Sequence, residues 1–112
     1  MRRGLLAVMM VGVLGAAAAR ADDTAEPSPA RQRALIRLLK QDCGACHGMR
    51  LTGGLGPALT PEALQDKPAE SLTATIVAGR PGTPMPPWRP FLTPKEAQWL
   101  VARLQRGETD AP

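Results

Sequence analysis

Two cysteines separated by two residues, with a histidine directly after the second, constrain this chain more than any other feature: Cys43-Gly44-Ala45-Cys46-His47. A C-x-x-C-H run is the attachment signature of a c-type haem. Cys43 and Cys46 are three apart and His47 is four beyond Cys43, so on one helical turn all three share a face. Thiols placed this way can each add to a porphyrin vinyl group, and the imidazole then points at the iron from the same side. Three other readings are weaker. A thioredoxin-like redox couple expects a βαβ context, which the surrounding sequence lacks. A structural zinc site wants four nitrogen or sulfur ligands, and the chain has two cysteines and one histidine. A disulfide within the motif would close a tiny loop and stabilise little.

The first 21 residues read as a secretory signal peptide. Arg2 and Arg3 form a positive start, Gly4 to Ala19 is uncharged and mostly apolar, and Ala19-Arg20-Ala21 fits a small-x-small cleavage site. An uncleaved membrane anchor is the competing reading, but residues 4–19 fall short of the roughly 20 needed to cross a bilayer. Arg2-Arg3 alone does not make a twin-arginine signal. Cleavage leaves 91 residues starting at Asp22, exported to the periplasm without stable membrane insertion. Of 14 basic and 10 acidic residues, three basic and no acidic ones lie in 1–21, so a net charge of +4 becomes +1. With no basic stripe and only 3% aromatic residues, nucleic-acid binding is excluded. A domain of this size has a marginal core and often recruits a cofactor to complete it. No Tyr, one Phe and two Trp make this one poor in large apolar side chains, a deficit that a buried porphyrin would fill.

Residues 22–29 read as a flexible, acidic and proline-containing lead-in to a domain spanning 30–107. Ser28 and Pro29 open a helix as N-cap and first helical residue. Its apolar stripe of Leu35, Ile36, Leu39 and Cys43 ends on the motif, while Arg31, Arg33, Arg37 and Lys40 take the other sides. A glycine-rich loop follows from Gly48 to Pro57; with no Lys-Ser/Thr after its glycines, it is not a phosphate loop. Thr60-Pro61-Glu62 opens a short helical turn to about Gln65. Another helix runs from about Pro68 to Ala78, with Leu72, Ile76 and Val77 inward and Gly79 as its stop. Thr93-Pro94-Lys95-Glu96 is a capping box, followed by Ala97, Leu100, Val101 and Leu104 at helical spacing and a stop at Gly107. Residues 108–112 read as a loose tail. No segment reads as a strand, and the fold class is all-α.

Iron held by one histidine leaves a sixth position that decides the chemistry. Methionine there raises the potential and suits electron transfer, whereas an open position suits gas binding or peroxide chemistry. His47 is the only histidine, which excludes bis-histidine ligation within one chain. Beyond the leader there are two methionines. Met49, two residues from His47, cannot reach the other face and reads as a packing residue beside the haem edge. Met85 lies in Gly79-Arg80-Pro81-Gly82-Thr83-Pro84-Met85-Pro86-Pro87-Trp88, a loop stiffened by prolines. Such a loop can hold a thioether near the iron with little reorganisation; a core methionine is the alternative.

Together these segments resemble class I cytochromes c over residues 30–106. The resemblance implies one covalently bound haem c in an all-α fold, with first and last helices crossing through Leu35/Ile36/Leu39 and Trp99/Leu100/Leu104. It also implies that the Pro57 carbonyl accepts the proton of the outer nitrogen of His47, and that Arg50, Arg80 and Trp88 are candidates for the haem propionates. More narrowly, Asp42 to Gly48, Gly53 to Leu64 and Gly79 to Trp88 are similar to the small periplasmic cytochrome of the c55X type. That family accompanies cytochrome cd1 nitrite reductase in denitrification. A monomeric electron carrier is implied, taking electrons from an upstream donor and passing them to the reductase, with Cys43, Cys46, His47 and Met85 on its haem. Assistance in maturing the d1 haem, or an open-site haem sensor or enzyme, are the other roles; no second histidine is present for peroxidase chemistry.

Overall fold

A computed structural model describes residues 26–110. The leader, its cleavage site, residues 22–25 and the last two residues lie outside them. Helix α1 (Pro29–Leu38) begins where the sequence places it: the Ser28 hydroxyl accepts from the Arg31 amide at 3.3 Å, and Pro29 occupies the first turn. The chain then stays helical but changes pitch. A π-helical turn over Leu39–Cys43, in which the Gly44 N–H bonds the Leu39 carbonyl, leads into α2 (Gly44–His47). This widened turn, a feature found frequently at functional sites, has no residue signature, and helical periodicity alone predicts an uninterrupted helix.

One short helix and two longer ones complete the chain. Helix α3 (Pro61–Leu64) is capped by Thr60, whose hydroxyl accepts from Ala63. Helix α4 (Ala69–Ala78) stops at Gly79. Helix α5 (Pro94–Arg106) carries the capping box: Glu96 N–H donates to the Thr93 hydroxyl at 3.2 Å, and Thr93 N–H donates to Glu96 Oε2 at 2.9 Å. The described residues contain no strand, and no helix among them is long and apolar enough to cross a membrane.

Helix α5 is the hub, packing against α4, α3 and α1. Leu35, Ile36 and Leu39 meet Ala97, Leu100 and Leu104, with Leu51, Leu64, Val77 and Leu92 closing the cluster. Trp99, expected in the helix crossing, packs against this cluster while half-buried, and the Arg103 guanidinium lies over its ring at 4.9 Å. The starts of α1 and α5 are clamped by Arg31, whose Nε and terminal nitrogen donate to the two Glu96 oxygens at 2.6 and 2.9 Å and also to the Phe91 carbonyl at 2.9 Å. A forked pair of this kind is directional as well as charged, and Arg31 is therefore part of the frame rather than a solvated side. The paired guanidinium holds the Glu96 carboxyl below its usual range, against a smaller opposing effect of burial.

Helix α4 adds to the expected inward set. Val77 is buried as expected, but its buried companion is Thr73, whose hydroxyl donates to the Ala69 carbonyl at 2.8 Å and so enters the core satisfied. Leu72 and Ile76 do point inward, but they are only half-buried: each packs against the core cluster and also lines a cavity. The tail is tied down at Asp110, which accepts from Lys40 at 2.6 Å and, through its carbonyl, from Arg103 at 2.7 Å. These exposed contacts stabilise little individually.

Candidate haem-binding site

The cavity bounded by these elements holds about 840 Å³, in the upper part of the ~300–1,000 Å³ range of ligand sites. Its lining is mostly apolar. Leu39, Leu64, Leu92, Leu100, Val101 and Leu104 form part of the walls, so residues of the hydrophobic core also line the site. Cys43, Cys46 and His47 border it from the π turn and α2, and Met85 borders it from the loop after α4. The sequence motif and the proline loop are thus brought to one cavity.

His47 is held from outside by the glycine-rich loop. Its Nδ1 lies 2.6 Å from the Pro57 carbonyl oxygen. A carbonyl can only accept, so Nδ1 donates, and in the neutral ring Nε2 keeps the lone pair a metal needs. Gly56 lies so close to the ring that a Cβ there would stand 2.8 Å from His47 Cε1. The same loop satisfies carbonyls at the helix end, with Gly53 donating to His47 and Gly56 to Cys46, each at 2.8 Å. Leu51, buried with a positive φ of 58°, anchors the loop by donating to Gly48 and accepting from Leu59. A leucine in a left-handed conformation is not foreseeable from sequence.

The Met85 loop is fixed by its own backbone and by α4. Arg80 N–H donates to the Met85 carbonyl at 3.1 Å. The Thr83 hydroxyl donates to the Arg80 carbonyl at 2.7 Å and accepts from Met85 N–H at 3.3 Å. Beyond the methionine, Trp88 and Arg89 donate to the Ile76 and Val77 carbonyls at 3.0 and 3.3 Å, groups that the end of α4 leaves without helical partners. Gly79, at φ 68°, lets residues 85–87 pass against the helix end.

The two cysteines are unpaired. Burial, reinforced by Asp42, pushes the Cys43 thiol up to about 11, the opposite of the lowered value that activates a redox-active C-x-x-C pair. Among the described residues no three His, Cys, Asp or Glu side chains come together. The remaining donor set is one imidazole with a fixed tautomer, one thioether and two thiols around an apolar cavity. That set fits a haem.

Other candidates divide. Trp88 and Arg80 line the cavity, whereas Arg50 does not. Met49 is 72% exposed and also outside the lining, so it is not a packing residue at the haem edge. Lys67 and Thr75 line the cavity unannounced by any motif, while Thr83 and the 78%-exposed Leu55 reach it from the Met85 loop and the glycine-rich loop. Only the fold brings their separate segments to one rim.

A family model described as "Cytochrome C oxidase, cbb3-type, subunit III" matches residues 30–102. Cytochrome c55X of Pseudomonas aeruginosa is 65% identical over 82 residues, covering 73% of this chain and 69% of that protein. Cytochrome c55X of Paracoccus denitrificans is 45% identical over 105 residues, 94% of this chain and 97% of that one. The solved structure of "c-type cytochrome NirC" matches with a TM-score of 0.73 at 64% identity, covering 77% of this chain and all of that one. A cavity with the donor set of a haem site, in an all-α fold shared with these proteins, places the chain in the cytochrome c55X family of class I c-type cytochromes, haem-binding electron carriers.

Proposed function

We propose that this chain is a periplasmic, monomeric one-electron carrier with a single haem c, and that it donates electrons to cytochrome cd1 nitrite reductase. Cys43 and Cys46 are the thioether anchors, His47 is the proximal ligand and Met85 the distal one. The observation that carries the reading is one apolar cavity bordered by the helix-borne cysteines and histidine and by the loop-borne methionine. Export rests on the leader, and the nitrite reductase partner on kinship with cytochrome c55X.

When bound, haem supplies a one-electron couple at its iron. The chain's own groups tune and protect it. Pro57 holds the Nδ1 proton and so fixes the ring that offers Nε2. The hydrogen-bonded turn from Arg80 to Met85 keeps the thioether in place with little rearrangement. Apolar walls exclude water and keep the surroundings of low polarity, a determinant of potential. Arg80 and Trp88, on the lining, supply a cation and an indole N–H for the propionates.

Optical spectra of the oxidised and reduced holoprotein test the haem type and ligation together. A methionine-ligated, six-coordinate reduced form does not take up carbon monoxide, so rapid stoichiometric uptake by the wild type would overturn the assignment of Met85. Mixing the reduced protein with purified cd1 nitrite reductase tests the partner. Absence of transfer, together with loss of d1 haem from the reductase when the gene is deleted, would assign the chain to cofactor maturation instead.

A further inference from the structure

A second concave feature, a shallow groove of about 400 Å³, lies beside the haem cavity and shares Leu92 with its wall. Arg31, Arg89, Pro90, Phe91, Pro94 and Glu96 also line it. Phe91, the chain's only phenylalanine, is 62% exposed here. Its position is nevertheless fixed: its N–H donates to the Trp88 carbonyl at 2.9 Å, and its own carbonyl accepts from Arg31 at 2.9 Å. Its ring touches that of Trp88, with centroids 5.8 Å apart at 55°. Trp88 in turn lines the haem cavity. Two aromatic rings in contact therefore lead from the cavity to an exposed apolar patch.

The groove also has a sign. Glu96, its one acidic lining residue, is taken up by Arg31 in a two-pronged pair. Arg89 is exposed and has no acidic partner among the described residues. The lining of the haem cavity instead mixes Asp42 and Asp66 with Lys67 and Arg80 and offers no such bias. A rigid exposed aromatic beside an arginine is the kind of anchor that protein interfaces concentrate.

We propose that the Phe91–Arg89 groove is the docking face for an acidic redox protein, with the Trp88–Phe91 pair carrying the electron from the haem cavity to it. The inference rests on the electron-carrier reading and adds the face and the charge of the partner. In the transfer one electron leaves the reduced protein and reduces the docked acceptor; no proton moves and no bond is made.

The test uses the full-length holoprotein with two trianionic probes. Paramagnetic tris(oxalato)chromate(III) maps where an anion settles, by line broadening in amide NMR spectra, and ferricyanide reports the rate of electron removal by stopped flow. Broadening should centre on Arg89 to Phe91, and broadening centred on Leu55 to Pro57 would overturn the proposal. Arg89→Glu should slow oxidation by about tenfold near 0.01 M ionic strength, with the difference fading as salt is added. Arg37→Glu makes the same charge change at an exposed residue outside both cavity and groove and should alter the rate less than twofold. Equal effects of the two variants would reduce the result to net charge and overturn the face. Phe91→Leu keeps apolar bulk but removes the ring. It should slow oxidation severalfold with the broadening map unchanged, and an unaltered rate would overturn the aromatic route. A monomer–dimer shift in Phe91→Leu would assign the patch to a second copy of this chain and overturn the redox-partner proposal. A wild type that ferricyanide does not oxidise would sink the electron-carrier reading itself, while the broadening map still decides whether anions settle at the groove.

Discussion

Gly79→Ala isolates what holds the distal side of the site. Gly79 has φ 68° and ψ −171°, a combination essentially confined to glycine, which costs other residues about 1–3 kcal/mol. An added Cβ would stand 2.6 Å from Pro86 C and Pro87 N and 2.9 Å from the Met85 oxygen, where ordinary contact begins at 3.4 Å. All three obstacles are backbone and cannot swing aside, so the loop must retreat by about 0.8 Å at its tightest point. Overpacking of this kind adds about 1–3 kcal/mol. Even a total of about 2 kcal/mol lowers Tm by roughly 8–16 °C in a domain of 60–100 residues. The displaced residues include Met85, so the reduced variant should bind carbon monoxide where the wild type does not. Gly82→Ala is the control: φ is 77°, but nothing lies within 4 Å of the new Cβ, so it carries the backbone cost without moving the loop. Thermal melts and carbon monoxide titrations of both variants decide the matter. A Gly79→Ala protein with wild-type Tm and no carbon monoxide binding would refute the argument that this glycine positions the methionine.

Met85→Ala should bind carbon monoxide when reduced and have a lower potential, since methionine ligation raises it. Its packing cost should be roughly 1–2 kcal/mol, below the ~2–5 of a fully buried methionine, because Met85 is only half-buried and its loop is held by backbone bonds; voltammetry and melting measure the two effects. Cys43→Ala/Cys46→Ala should release its porphyrin on acid–organic extraction, unlike the wild type, and the haem-free product should lose its cooperative melt by circular dichroism. At ~24 cal/mol per Å³ of cavity, 840 Å³ sets an upper bound of about 20 kcal/mol, above the ~5–15 that stabilises a typical domain. Glu96 binds its proton less tightly folded than unfolded, so its stabilisation is full above the ordinary carboxylate value of 4.5 and is lost as pH falls through the depressed folded value. Acid titration of Glu96→Gln should therefore show a shallower loss of stability below pH 4.5 than the wild type.

Features that depend on nearby residues were legible in the sequence. Ser28-Pro29, Thr60-Pro61 and the Thr93–Glu96 box each report a helix start because the capping group and the amide it satisfies lie within one turn. The C-x-x-C-H run and the proline-fenced Met85 were legible for the same reason. Long-range pairing was not. Arg31 reads as one of four cations on the sides of the first helix away from its apolar stripe, and only the fold brings Glu96 to it, 65 residues away. On α4 the inward side was read correctly at Leu72, Ile76 and Val77, but periodicity did not show that the first two share their contacts between core and cavity wall while Thr73 is the more buried residue. The π turn escaped because one extra residue in a helical turn needs no unusual side chain.

The two proposed axial ligands are supported by separate devices, and this separation bears on function. His47 depends on the end of α2 and on Gly56 and Pro57, whereas Met85 depends on the end of α4 and on its own turn. Neither loop donates a backbone hydrogen bond to the other. Their separation is instead set through α5, whose Leu100, Val101 and Leu104 line the cavity and whose start is clamped to α1 by Arg31 and Glu96. Either loop can therefore relax without moving the other, while the helices that space them stay in the core. With haem held by His47 and Met85 as proposed, such an arrangement would keep both side chains in place in either oxidation state, because each loop is already held by hydrogen bonds. For a carrier that must gain and lose an electron without rearranging, loops held by their own hydrogen bonds limit the movement a change of charge would otherwise drive.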